Sequence, residues 1–262
     1  MGYTDHGSFL MFGDSITEYA FDQNCGDGPA SPVQFVLGPA LQNAYTRRLA
    51  VLQRGFSGYT SRDALPLIKS ILKCEHDEQR ESRQVKIAYV FFGTNDARHK
   101  GTGSDNNETI PLDKFLSNMT QVVAEFKNRN IPVIVITPGV HDQQMWDKSD
   151  PEDLITGDYR TNERNKLYQD SLRDELVNTY PDVPVLSLYD VMVQWVAEKP
   201  ESRKLTDMLS DGIHLSGIGY KVLYDNIMAI INEHYPTLAP ENMEFKFPHR
   251  SQITDDTWKN IE

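Results

Sequence analysis

The stretch 131–137, Ile-Pro-Val-Ile-Val-Ile-Thr, limits the fold of this chain more than any other feature. It is a nearly continuous β-branched run with no polar alternation. A strand with one wet face alternates apolar and polar residues. A run like this belongs inside a parallel sheet that is covered on both faces. Four further apolar runs, at 9–12, 51–54, 85–92 and 183–188, are read the same way. Helical patterns lie between them. The clearest covers 111–129, where Leu112, Phe115, Leu116, Met119, Val122, Val123 and Phe126 recur at spacings of three and four behind Pro111. The others are 34–49, 62–72, 161–180 and 220–235. Strands alternating with helices predict an α/β fold, a parallel sheet with helices on both faces.

The apolar runs are spread along all 262 residues, so one domain over 1–262 is expected. The segment 236–262, with Pro236, Pro240, Pro248, Phe245, Phe247 and Trp258, reads as an irregular tail strapped over the body or as a partner contact. A polar stretch over 139–158, holding Met145 and Trp146, reads as a lid or a pocket wall. The net charge of −12 and a pI near 5.0 argue against nucleic acid or anionic membrane as the main partner. No apolar run approaches the ~18 residues of a membrane span. The start, Met-Gly-Tyr-Thr-Asp-His, has no basic stretch and only a short apolar run after it, so a cytoplasmic enzyme is expected. Cys25 and Cys74 stand in unrelated contexts and give neither a disulfide framework nor a metal site. Two formal glycosylation sequons, at Asn107 and Asn118, are read as chance matches.

In open parallel sheets the active site lies beyond the carboxyl ends of the strands. Chemistry-bearing residues fall there in four blocks. Gly13-Asp14-Ser15 follows the first strand. The turn puts Ser15 at a helix start, where backbone N–H groups face an incoming anion. Gly58 lies in the turn after the second strand and can bring a bare backbone N–H to the same point. Gly93-Thr94-Asn95-Asp96 follows the third strand, and the neutral amide of Asn95 can donate to an oxyanion. Asp211-Gly212-Ile213-His214 comes after the fifth strand. On one compact turn the Asp211 carboxylate can reach Nδ1 of His214 and leave Nε2 for the serine. Each block alone has a plainer role: Ser15 and Asp211 as helix caps, Asn95 in an Asx turn, Gly58 in a loop. All four in order are much harder to ascribe to structural need.

Together these blocks resemble the SGNH, or GDSL-type, hydrolase superfamily, with Ile16 where the usual motif has Leu. Stretches 10–21, 37–59, 159–165 and 209–220 are similar to its eukaryotic isoamyl acetate-hydrolysing esterase group. The likeness runs from about residue 9 to about 247, thinning at the tail and around 25–33. The resemblance implies a three-layer α/β/α sandwich on a five-stranded, flavodoxin-like sheet. It implies Ser15 as nucleophile, His214 as base and Asp211 as its orienter. The oxyanion hole would be formed by the N–H groups of Ser15 and Gly58 and the side chain of Asn95. It implies short-chain esters as substrates and no cofactor or metal. Some relatives are dimers, which makes the aromatic tail a candidate homodimer contact.

A thioesterase, lysophospholipase or carbohydrate deacetylase would use the same machinery. A metal-dependent phosphoesterase would gather several His and Asp ligands, and only one histidine falls in the four blocks. A silent binding module would not need the full set of residue types. Tyr19, Phe21, Met145 and Trp146 are candidates for the substrate wall. Asp14 is expected to hold the turn. Arg98 and His99 could line the pocket but read rather as exposed loop residues, and His141 and Asp142, after the fourth strand, are candidates for a site role that read rather as plain loop residues.

Overall fold

The computed structural model describes residues 5–24, 33–99, 109–156, 159–247 and 249–259. Cys25, Asn107 and Pro248 lie outside the described residues. In chain order the elements are β1 (Gly7–Gly13), α1 (Ser15–Glu18), α2 (Leu37–Ala44), β2 (Leu49–Gly55), α3 (Ser61–Leu72), β3 (Val85–Phe91), α4 (Leu112–Lys127), β4 (Val133–Ile136), α5 (Gln143–Ser149), α6 (Pro151–Thr156), α7 (Asn162–Thr179), β5 (Val185–Leu186), α8 (Leu188–Ala197), α9 (Gly217–His234) and α10 (Asp255–Lys259). The five strands form one parallel sheet in the order β2-β1-β3-β4-β5. This is the flavodoxin-like order, and its direction reverses between β1 and β3.

Burial explains the unbroken apolar strands. Along β1, Phe9 and Met11 point to one face and Leu10 and Phe12 to the other, all fully buried. The first pair packs with Leu41 of α2, Tyr45 just after it, Met192 of α8 and Ile227 of α9. The second packs with Ala64, Ile68, Phe115, Val123 and Leu172 from α3, α4 and α7. Each such side chain stabilises the fold by ~1.5–3 kcal/mol when taken from water. The result is the expected three-layer sandwich.

The boundaries differ where pattern cannot see pairing. The 34–49 helix is only Leu37–Ala44, because Arg47 takes a φ of 60° and Leu49 already opens β2. The run 183–188 contributes only Val185–Leu186 to the sheet before α8 begins. Helix α9 starts at Gly217, where the Ser216 hydroxyl caps it, earlier than the apolar pattern at 220 indicates. Helices α5 and α6 occupy much of the polar stretch 139–158, and α8 fills a segment for which no helix is predicted. Residues 236–247 of the tail run in short turns clipped to the body. Lys246 N–H donates to Arg47 O at 2.9 Å, Arg48 Nε donates to Met243 O at 3.0 Å, and both guanidiniums lie over the Phe245 ring. Among the described residues no helix is long and apolar enough to cross a membrane.

Candidate active site

The sheet order brings the four sequence blocks to one edge. Ser15 follows β1, Gly58 follows β2, and Asn95 follows β3, so they surround the point where the strand order reverses. The loop before α9 closes over them from the fourth side. A two-stranded clip shapes that loop: Leu209 pairs with Leu215, and Ser210 N–H donates to His214 O at 2.9 Å. Within the clip, Asp211 Oδ1 accepts the N–H groups of Ile213 at 2.9 Å and His214 at 2.8 Å. Its Oδ2 meets His214 Nδ1 at 2.5 Å, and His214 Nε2 lies 2.9 Å from Ser15 Oγ.

This chain of contacts sets the electrostatics. Burial works against the Asp211 charge, but the hydrogen bond and charge of His214 and the two backbone N–H groups outweigh it, bringing Asp211 down to about 2. The carboxylate is therefore ionised at neutral pH and holds the imidazole with Nδ1 protonated. Gly212 makes the tight turn possible with φ of 107°. A Cβ there would fall 2.4 Å from Asp142 O, so its bareness also lets the start of α5 dock against the loop.

Ser15 is buried and opens α1. Asp14 before it is fully buried and caps the turn: its Oδ1 accepts Ile16 N–H at 3.0 Å, and its carbonyl accepts Thr17 and Glu18 N–H. These three are the other free N–H groups of the first turn, so Ser15 N–H stays uncommitted among the described residues. Oδ2 of Asp14 has no hydrogen-bond partner among them either. Burial pushes the Asp14 carboxyl up to about 7. The turn-holding role expected of Asp14 is what the contacts show.

Asn95 is buried beside the Gly58 turn, its Nδ2 donating to Tyr59 O at 3.0 Å. The second N–H of that amide makes no bond to a described residue. Gly58 has φ of 78°, which strains any residue with a side chain. The two loops are tied through Asp96, whose carboxylate accepts Ser61 N–H at 3.1 Å and Ser61 Oγ–H at 2.5 Å. Burial raises Asp96 to about 7 against those bonds.

Residues 11–222 match the family described as GDSL-like lipase/acylhydrolase. The chain belongs to that family. The isoamyl acetate-hydrolyzing esterase of Saccharomyces cerevisiae is 38% identical over 96% of this chain and 97% of its own length. The enzyme of the same name from Schizosaccharomyces pombe is 30% identical over 93% of this chain and 82% of its own. Among solved structures, an acetyl xylan esterase superposes with a TM-score of 0.59 at 18% identity, covering 86% of this chain and 99% of that one. That last likeness concerns the fold. The GDSL-family membership and the two yeast relatives make the chain a carboxylic ester hydrolase.

The candidate wall residues divide. Tyr19 packs edge-on to the His214 ring with centroids 5.0 Å apart, and Trp146 does so at 6.3 Å. Met145 is half-buried, with its Cβ against Gly212 and its side chain on the core. Phe21 lies over Gly38 at the start of α2, 42% exposed, and makes no ring contact with His214.

Several residues packed around the site carry no sequence signal of their own. His141 is buried, and its Nδ1 donates to Gly212 O at 2.8 Å. Burial lowers its pKa and keeps the ring neutral there. Arg98 is not the exposed loop residue expected: its side chain is 12% exposed and paired with Asp153. His99 stacks on Tyr159 with centroids 4.6 Å apart. Arg160, 4% exposed, lies against Asn95. An arginine in a loop reads as a surface residue, and only its burial marks it out. A cavity of about 400 Å³ opens beside this group, lined by His141, Gln143, Tyr159, Arg160, Asn162 and Glu163 among others.

Proposed function

We propose that this chain is a serine esterase for short-chain carboxylic esters, acetate esters such as isoamyl acetate among them. The observation that carries the reading is the unbroken contact chain Asp211–His214–Ser15, at 2.5 and 2.9 Å, at the carboxyl edge of the sheet. The choice of acetate esters rests on the names of the two yeast relatives.

His214 Nε2 takes the hydroxyl proton as Ser15 Oγ attacks the ester carbonyl carbon. Asp211 steadies the imidazolium that forms. The carbonyl oxygen, now an oxyanion, is held by Ser15 N–H, Gly58 N–H and the second N–H of Asn95. The tetrahedral intermediate collapses, and the alcohol leaves with the proton from His214. A water then attacks the acyl-serine. His214 takes its proton, returns it to Oγ, and the carboxylic acid departs.

The test is covalent. A fluorophosphonate should form one adduct, displacing fluoride, on the peptide carrying Ser15, with activity lost in proportion. Intact labelling of Ser15→Ala protein, or full inhibition with the adduct on another residue, would overturn the assignment.

A further inference from the structure

We propose that Arg160 is a positioning residue of the oxyanion hole, acting through Asn95. The inference rests on the oxyanion role of Asn95 given above. Arg160 Nη2 donates to Asn95 Oδ1 at 2.9 Å, and Nε donates to Thr94 O at 3.3 Å. The planar guanidinium thus grips two successive residues of the loop after β3. This is a forked contact that a lysine ammonium cannot reproduce.

The grip matters because an amide has two faces of opposite sign. If Asn95 turned over, Oδ1 would sit where an oxyanion forms and would repel it. Turned over, it would also set oxygen against Tyr59 O and NH2 against Arg160. The contacts present, Nδ2 to Tyr59 O and Oδ1 from Arg160, allow only the donating orientation. A cation on Oδ1 also draws electron density from the amide nitrogen, which makes the remaining N–H a stronger donor.

A charge this deep is costly unless it is balanced. The balance comes from Asp153 on α6, also buried, with its Oδ2 3.9 Å from Arg160 Nη1. The same carboxylate pairs with Arg98 and accepts Trp146 Nε1–H at 2.7 Å. Trp146 in turn lies edge-on to His214, with Arg160 over its ring at 5.5 Å. One carboxylate therefore fixes both the residue beside the base and the residue behind the oxyanion donor. The Arg160 donors with described partners are spent on Asn95 and Thr94, so its effect is routed through Asn95 even though the residue borders the cavity.

The test is a double-mutant cycle on kcat for p-nitrophenyl acetate, using Arg160→Met, Asn95→Ala and the pair, with Arg160→Lys beside them. Losing the Asn95 donor should cost ~10²–10³ in kcat. Arg160→Met should cost about 10–10², bounded by that figure, with KM changed less than threefold. In the Asn95→Ala background the Arg160 substitution should change kcat less than threefold, because its route is gone. Arg160→Lys, which keeps the charge but not the fork, should fall between wild type and Arg160→Met. Costs that multiply in the double variant would show that Arg160 acts independently of Asn95, and would overturn the inference. An unchanged kcat in Arg160→Met would do the same. An unchanged kcat in Asn95→Ala would instead overturn the oxyanion reading itself. Should Arg160→Met not fold, the cycle is run with Arg160→Lys, judged by the same coupling.

Discussion

Replacing Asp211 by Asn probes the proposed triad with little change of shape. Oδ1 of Asp211 accepts two backbone N–H groups, at 2.9 and 2.8 Å, and Oδ2 faces His214 Nδ1. A carboxamide has one acceptor and one donor end. Keeping its oxygen on the two N–H groups turns its NH2 toward Nδ1. Nδ1 must then be the bare nitrogen, and Nε2 carries its proton toward Ser15, where it cannot act as a base. The reverse placement leaves two N–H groups facing a donor, at ~1–3 kcal/mol each. The productive tautomer is thus disfavoured by about 2–6 kcal/mol, or roughly 30-fold to 10⁴-fold at about 1.4 kcal/mol per decade. Loss of the negative charge that steadies the imidazolium adds to this. The expected kcat for p-nitrophenyl acetate is about 10³–10⁴ below wild type, in line with other triads, with KM within a few-fold. Steady-state kinetics on protein of wild-type thermal stability provides the measurement. A kcat within tenfold of wild type would refute the reasoning.

Other substitutions test neighbouring parts. Buried Asp14 keeps its proton to about pH 7, whereas the unfolded chain loses it near 3.8, so its contribution to stability declines as pH rises between those values. Asp14→Asn removes that decline. Its stability relative to wild type should grow by up to ~1.4 kcal/mol per pH unit across the window and then level off. Melting curves that stay parallel from pH 4 to 8 would contradict this. Asp211, depressed to about 2, works the other way: its stabilisation is present above pH ~4 and is lost as pH falls through about 2, so Asp211→Asn and wild type should converge in denaturant titrations below that pH. Gly58→Ala forces a side chain into a left-handed φ of 78°, at ~1–2 kcal/mol, and should lower the melting temperature by about 2–8 °C together with kcat. An unchanged melting temperature would show that the turn relaxes. EDTA should leave activity intact, and restoration of a chelated enzyme by a divalent ion would contradict the metal-free mechanism.

Much of the fold could be read from the chain because burial leaves a direct mark on composition. The unbroken β-branched run at 131–137 could only be a doubly covered strand, and β4 lies there with every residue buried. Residues 111–129 kept their period because one face of α4 packs on the sheet. Edges were less legible. A two-residue β5 and a helix ending at Ala44 are decided by strand pairing and by the φ of Arg47, which pattern does not encode. At the site, Ser15, Asp211 and His214 stood out because each lies in a short block that needs its residue types. Arg160, Asp153 and His141 did not. Their places come from burial on three separate segments, the loop after β4, helix α6 and the turn before α7, and an arginine, an aspartate or a histidine in a polar stretch reads as solvated.

The most direct measurement is hydrolysis of p-nitrophenyl esters from acetate to decanoate, together with isoamyl acetate, by wild type and Ser15→Ala. Rates that are highest on acetate, fall with chain length and vanish in Ser15→Ala are the predicted result. Activity surviving in Ser15→Ala would contradict the serine mechanism, and a wild type inert on every ester would contradict the proposed substrate class.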